Sequence, residues 1–196
     1  MGKGADTREF IEHRALALAS TVGLGGLTIG RLATEVGMSK SGVFAHFSSK
    51  DNLHLAVLER YNNIYLYEIW GPALKAPRGR PRIEALLEHW LKCINSERLP
   101  GGCLFRAASP EFDDLDGPIR ERLVMLLRDW EQGLHRAAYA AIEAGHFRSD
   151  IDIAQFIFES EGLFQGYHHF KRLFHMVDAE ERLRRGFKGL LDRAAL

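Results

Sequence analysis

The sequence lacks several features that would place it in a familiar class. Its two cysteines, Cys93 and Cys103, form no C-x-x-C pair, so the spacing of zinc-binding and dithiol redox motifs is absent. No apolar run approaches the roughly 18 residues of a membrane span, and no apolar signal segment opens the chain. Gly2 precedes Asp6 where a myristoylation signal has Ser or Thr. We therefore expect reduced thiols and a cytoplasmic protein.

The sequence also lacks a net charge, because 26 Lys and Arg residues balance 26 Asp and Glu residues. No overall field therefore indicates nucleic acid or membrane as a partner. We find no alternating strand pattern, Walker loop, G-x-S-x-G motif or dinucleotide fingerprint. With 46% hydrophobic residues the chain can nevertheless build a core. The sequence predicts a folded protein that is neither an enzyme nor dependent on a cofactor.

What the sequence does contain is helical periodicity along nearly its whole length. Apolar residues recur at steps of three and four, which predicts an all-α fold of about nine helices. Thr28 and Ser39 stand where N-caps are expected, so two short helices should begin there. Ser48 or Ser49 should cap a longer helix that runs to about residue 70, and Asp178 should cap the last helix in a capping box with Glu181.

The remaining helix boundaries follow from prolines, glycines and caps. We expect a helix from about Pro81, a short one around residues 103–108, a long one from Pro118 to about residue 144 and another after Asp152. No internal repeat is found.

The segment GMSKSGVFAHFSSKDNL, residues 37–53, has a composition suited to DNA. Gly37 can turn the chain between two short helices, which is the helix-turn-helix arrangement. Small or cationic residues at the start of the second helix, from Ser39 to Gly42, allow a close approach to DNA. His46 and Lys50 follow at the far end, where they can clamp a phosphate.

The run LTIGRLATEVGMSKSGVFAHFSSKDNLHLAVL, from Leu27 to Leu58, resembles the DNA-binding domain of the TetR family of transcriptional repressors. The resemblance rests on the Thr cap, the IGRLATEVGMSKSG helix pair, the aromatic-x-His-Phe ending and the Ser-Lys-Asp start of the fourth helix. It covers about 60 residues well, whereas the rest of the chain resembles the family only as a run of helices.

The resemblance implies a DNA-binding role for nine residues. Phosphate contacts are expected from Thr28, Phe44, His46 and Lys50, base or backbone approach from Arg31, Lys40, Ser41 and Gly42, and a cap from Ser39. Phe44 stands where the family usually has Tyr, so a phenolic hydrogen bond to phosphate cannot form, although the ring can still pack against the sugar. Because Ala45 offers no polar group, base readout should depend mainly on Lys40 and Ser41.

The resemblance also implies an effector site among the middle helices and a homodimer formed by the last two helices. Aromatic and mildly polar residues on inward faces are the effector candidates: Trp70, Trp90, Cys103, Phe105, Trp130, His135, Phe164 and His168. A second apolar face on the helix after Asp152 independently favours an interface. With the last helix, the expected interface residues are Phe158, Gly162, Gly166, His169, Leu173, Phe187 and Leu191.

Metal sites find little support in the sequence. His168 and His175 are seven residues apart, which separates them by about 10 Å along a helix, too far for one ion. Glu143 and His146 match the E-x-x-H element of di-iron bundles, but no second copy exists. The acidic run EFDDLDG can attract a cation or simply form a solvated loop.

The sequence therefore predicts a ligand-responsive repressor that binds a palindromic operator as a homodimer. We expect a DNA-binding domain at residues 1–52 and an effector-binding and dimerisation domain at residues 53–196. The alternative is a small-molecule-binding or catalytic helical bundle that does not bind DNA.

Overall fold

The computed structural model describes residues 3–196, and the expectation about Gly2 lies outside them. Nine helical runs make up the described chain, which confirms the predicted all-α fold. An isolated bridge between Phe147 and Ala195 is its one β-type pairing. No helix in this range is long and apolar enough to span a bilayer.

The first four helices are α1 (Lys3–Val22), α2 (Ile29–Val36), α3 (Lys40–Phe47) and α4 (Lys50–Ile64). α4 continues through a π-helical segment, Tyr65–Trp70, and a final turn, Gly71–Ala73. The other five are α5 (Arg80–Ile94), α6 (Leu104–Phe112), α7 (Pro118–Glu143), α8 (Ile153–Arg172) and α9 (Ala179–Ala194).

The residues form two compact units. Unit 1 comprises Met1–Leu66 and Cys93–Leu126, and unit 2 comprises Tyr67–Lys92 and Leu127–Leu196. The core of unit 1 includes Ile11, Leu32 and Leu53, and that of unit 2 includes Trp90 and Phe187, all of them almost fully buried. The expected functional boundary at residue 52 stays a prediction.

Three hydroxyl caps start the helices of the N-terminal region. Thr28, Ser39 and Ser49 accept hydrogen bonds from backbone amides three residues ahead, at 3.1, 3.0 and 3.0 Å. Each bond satisfies an amide that has no partner inside its helix. Gly37 ends α2 in the left-handed region, with φ of 68°, a conformation that costs glycine little. The predicted helix starts and the glycine turn are confirmed.

One predicted cap is wrong. The Asp178 side chain makes no hydrogen bond to the first turn of α9, and its carboxylate instead pairs with Arg182 at 2.9 Å. The backbone at Asp178, with φ of −92° and ψ of 15°, departs from the extended conformation that an N-cap normally adopts. The ion pair with Arg182 lowers the pKa of this exposed carboxyl.

His54 links α4 to the segment before α2. Its ring is buried, and Nε2 lies 3.0 Å from the Leu27 carbonyl. Because a carbonyl can only accept, Nε2 carries the proton. Burial lowers the pKa of His54, an effect partly offset by the bond to Leu27. Among nearby charges, Lys50 lowers the pKa further, while Asp51 and Glu111 raise it.

We expect His54 to make stability depend on pH. An unfolded histidine titrates near pH 6.5, so below that pH the unfolded chain binds more protons at this position than the folded chain. The free energy of unfolding should therefore fall as the pH drops from about 7 through the lowered pKa. Denaturant unfolding of the wild type and His54→Asn between about pH 7.5 and 5 should show a weaker dependence in the variant. His13→Gln, at an exposed position, is the control, and parallel profiles for the wild type and His54→Asn would contradict the assignment.

Candidate DNA-binding surface, effector region and subunit interface

α3 is held in place by two buried side chains. Val43 and Phe47 are 0% and 2% exposed and face the core of unit 1. Arg8 of α1 adds a second support, since its Nη1 donates to the carbonyl of His46 at 2.7 Å and its guanidinium lies 5.2 Å from the centroid of the Phe47 ring. Residues on the opposite side of α3 are thereby presented to solvent.

Most of the nine candidate DNA contacts lie at the surface. Thr28, Arg31, Ser39, Lys40, Ser41, Phe44 and Lys50 are exposed, and Gly42 and His46 are half-buried. The hydroxyls of Ser39 and Ser41 lie 3.1 Å apart at the start of α3. The stem of Lys40 passes close to Gly30, where a Cβ would come within 3.3 Å of Cε. Helix α3 therefore offers its first turn and Phe44 to a partner.

Some candidate cations already have partners within the protein. Arg31 donates from Nη1 to the Gly26 carbonyl at 3.3 Å, and Lys50 donates from Nζ to the Gly25 carbonyl at 3.1 Å. Both side chains remain exposed, so these bonds hold the cations at the turn before α2 without hiding them. The region from 28 to 60 has four Lys and Arg against three Asp and Glu, a net charge of +1.

Glu111 holds the turn that joins α1 to α2. Its Oε2 accepts from the Gly25 amide at 2.6 Å, and it packs so closely on Gly23, at φ of 80°, that a Cβ there would overlap its carboxylate. Gly101 packs still more closely on the Ser20 carbonyl, since a Cβ there would overlap its oxygen, and the Gly101 amide donates to the Ser20 hydroxyl at 3.0 Å. The segment before α6 thus contacts the end of α1, and the end of α6 supports the turn that follows it.

The effector candidates of unit 1 form a buried cluster with two tyrosines. The Cys103 thiol lies 3.2 Å from the Tyr65 hydroxyl. The Phe105 ring packs edge-on against Tyr61 and Tyr65, with centroids 4.7 and 4.9 Å away. Burial, with the nearby Cys103 thiol, raises the pKa of Tyr61. These groups therefore combine an apolar wall with polar atoms inside unit 1.

The aromatic candidates of unit 2 form a second cluster. Trp90 and Phe164 are 4.7 Å apart between centroids, Trp70 and Trp130 are 5.3 Å apart, and Trp130 lies 6.1 Å from Phe164. Trp130 also donates from Nε1 to Glu161 at 2.9 Å. Gly133 makes room for this arrangement, because a Cβ there would overlap the Trp70 ring.

The two histidine candidates lie outside the buried part of this cluster. His168 is half-buried and His135 is exposed. His135 lines an open groove of about 420 Å³ between α7 and α8, together with Glu131, Gln132, Ala154, Ile157, Phe158 and Glu161. Six of the eight candidates thus lie in two largely buried clusters, His135 lines one groove, and His168 is half-buried on α8.

The expected interface residues separate into two sets. Those on α8, and Leu173 directly after it, face solvent: Phe158 and Leu173 are 74% and 65% exposed, Gly162 and His169 are exposed, and Gly166 is half-buried. Phe187 and Leu191 are each 2% exposed and belong to the core of unit 2. The α9 pair therefore supports α8 from within and does not offer surface to a partner.

Three residues that contribute to these regions were missed from the sequence. Arg8 supports α3, Glu111 supports the turn before α2, and the Tyr61 hydroxyl lies within the cluster around Cys103. Their partners are 38 and 86 residues away for Arg8 and Glu111, and periodicity carries no signal for such contacts. The glycines of the GLGG turn mark a close approach, but they do not identify the side chain that fills it.

Comparison with known proteins gives two family matches. Residues 11–57 match the model described as bacterial regulatory proteins, tetR family. Residues 79–187, more than half of the chain, match the model described as tetracyclin repressor-like, C-terminal domain. Among curated protein sequences no significant match is found.

Solved structures share the fold over nearly the full length. A TetR-family regulator from Cytophaga hutchinsonii is 18% identical with a TM-score of 0.84, and the alignment covers 100% of this chain and 98% of the other. A TetR regulator from Chloroflexus aurantiacus is 24% identical with a TM-score of 0.84, and the alignment covers 98% of this chain and 96% of the other. A regulator from Saccharomonospora viridis in complex with choline is 19% identical with a TM-score of 0.83, and the alignment covers 96% of each chain.

Proposed function

The chain belongs to the TetR family of bacterial regulatory proteins, and we propose that it is a ligand-responsive repressor that binds a palindromic operator as a homodimer. The exposed first turn of α3 is the observation that carries the proposal. Ser39, Lys40 and Ser41 lie there beside a helix N-terminus, whose free amides attract phosphate. A DNA-binding role requires access to the chromosome, so we expect the protein in the cytoplasm.

A homodimer would match the symmetry of a palindromic operator. Two recognition helices must enter half-sites about 34–36 Å apart, which is one turn of DNA. The α8 face supports this assembly because it exposes Phe158 and Leu173 around two glycines. Neither glycine is required by the chain itself, since a Cβ at Gly162 or Gly166 would meet nothing within 4 Å. The two glycines would allow the α8 helix of a second copy to approach closely.

A small molecule would control the repressor by favouring one arrangement of the dimer. We propose that the effector contacts some of the aromatic candidates, because each cluster combines large apolar surfaces with polar groups: Tyr65 and Cys103 in unit 1, and Glu161 in unit 2. An effector that binds better to a state with mismatched half-site spacing would release the operator. The family models and the choline complex of a structural neighbour support a ligand-binding role.

The alternative is a helical bundle that binds or transforms a small molecule and does not bind DNA. The match of residues 11–57 to the tetR-family model and the exposed first turn of α3 disfavour it. Gel shifts with the gene's own upstream region separate the two functions. Failure to form any sequence-specific complex at low salt would support the alternative.

DNA binding should respond differently to two lysine substitutions. Lys50→Ala should weaken binding to all sequences and make the salt slope shallower by about 1, because one phosphate is no longer neutralised. Lys40→Ala should instead change the preferred bases in the operator. Fluorescence anisotropy over a salt series measures the first effect, and selection from random duplexes measures the second. Lys75→Ala, an exposed control with the same charge change, should leave base preference intact, and a wild-type salt slope in Lys50→Ala would remove its phosphate role.

A bulky residue on the exposed face of α8 should prevent the proposed homodimer from forming. A Cβ at Gly162 would have no atom of the chain within 4 Å, so the Gly162→Trp variant should fold. Its indole should prevent a second copy from packing against α8. Sedimentation velocity at micromolar concentration should show a dimer for the wild type and a monomer for the variant. Lys92→Trp at an exposed position of α5 should remain dimeric. A dimeric Gly162→Trp would place the interface elsewhere.

Effector binding should be visible in tryptophan emission. The three tryptophans, Trp70, Trp90 and Trp130, all lie in unit 2, two of them in contact with Phe164. A compound that releases the operator should therefore change the emission with the same concentration dependence. Trp130→Phe removes the bond to Glu161 and should weaken the compound several-fold, whereas Tyr139→Phe, at an exposed position of the same helix, should not. Release without any change in emission would exclude this cluster.

A further inference from the structure

A shallow groove crosses the proposed DNA-binding surface beside the first turn of α3. It is lined by Ile29 from α2 and by Lys40, Ser41, Phe44 and Ala45 from α3, and its walls are almost entirely apolar. Phosphates offer no apolar contact, whereas base edges are read by apolar contacts as well as by hydrogen bonds. An apolar group on the partner would therefore fit this groove.

Phe44 is the residue that gives the groove its character. Its ring is 51% exposed, although the neighbouring Val43 and Phe47 are buried and hold α3 to the core. Within residues 3–196 the Phe44 ring has no aromatic partner, and folding of the chain does not require it to be buried. The exposed Ala45 beside it keeps the groove open because its side chain ends at Cβ.

The major groove of DNA offers one apolar group on its base edges, the C5-methyl of thymine. Alanine and phenylalanine side chains are among those that contact this methyl group directly. Lys40 and Ser41 line the same groove, so their polar groups lie next to the apolar surface. A protein that places Lys40 near one base edge would thus bring Phe44 and Ala45 close to a neighbouring one.

We propose that the groove of Ile29, Phe44 and Ala45 reads a thymine in each half-site through its C5-methyl group. The inference rests on the proposed DNA-binding function and adds a determinant of specificity to it. It assigns a role to Phe44, where a phenolic contact is impossible, and to Ala45, which has no polar group. The operator half-site should then contain at least one thymine that uracil cannot replace without a drop in affinity.

The test removes the methyl group alone. A preferred operator is first selected from random duplexes with the full-length protein. Each thymine of the half-site is then replaced in turn by deoxyuridine, which keeps every hydrogen-bonding group. One position should weaken binding about fourfold per half-site, the value expected for one buried methyl group. Binding is measured by fluorescence anisotropy at one fixed salt concentration.

Variants assign the methyl effect to the groove. Phe44→Ala removes a wall of the groove. For this variant, replacing the sensitive thymine by deoxyuridine should lower the affinity less than about twofold. Because Phe44 is half exposed, the variant should fold, which thermal unfolding checks. Tyr139→Ala, at a residue that is 54% exposed on α7, should keep the full effect.

The outcomes separate the inference from the function on which it rests. Sequence-specific binding in which no thymine is sensitive to uracil overturns the groove assignment and leaves the DNA-binding function intact. If the loss of affinity with deoxyuridine is unchanged in Phe44→Ala, another surface contacts the methyl group, which also overturns the groove assignment. If no duplex is selected, the DNA-binding function fails and the inference fails with it.

Discussion

The bond between the Gly25 amide and the Glu111 carboxylate is the contact on which the arrangement of unit 1 depends. It fixes the turn that joins α1 to α2, and the Gly25 carbonyl of the same residue accepts from Lys50 at the start of α4. One residue therefore connects α6 with α4 and with the entry to α2. Glycine is needed at Gly23 because the carboxylate occupies the space of a side chain and because φ is positive there. The exposed face of α3 depends on this turn for its placement.

The parts of the fold that the sequence predicts are those set by short-range rules. The caps at Thr28, Ser39 and Ser49 act on amides three residues away, so residue type and spacing suffice to find them. The rule failed at Asp178, where Arg182 competes for the carboxylate one turn later. A carboxylate can cap a helix or pair with a cation, and the sequence pattern alone does not decide between them.

The proposed sites were predictable to the extent that a single helix carries them. The exposed face of α8 follows from its periodicity, because two apolar stripes cannot both face one core. Phe187 and Leu191 could not be assigned in the same way, since α9 has one apolar stripe and that stripe packs within unit 2. Six of the effector candidates separated into two clusters because inward orientation is a property of each helix, whereas a shared cavity depends on how distant helices meet. Arg8 and Glu111 escaped prediction for the same reason.

Helix α6 gives the proposed effector a physical route to the DNA-binding region within unit 1. Cys103 and Phe105 lie at its start, against the tyrosines of α4, and Glu111 lies near its end against the Gly25 turn. Its nine residues span about 13 Å and move as a nearly rigid rod. A ligand that displaces Phe105 must therefore shift Glu111 or bend the helix at Pro110, which lies inside it. Since the Gly25 carbonyl of this turn accepts from Lys50 and the turn leads into α2, the shift reaches the proposed DNA-binding surface of α2 and α3.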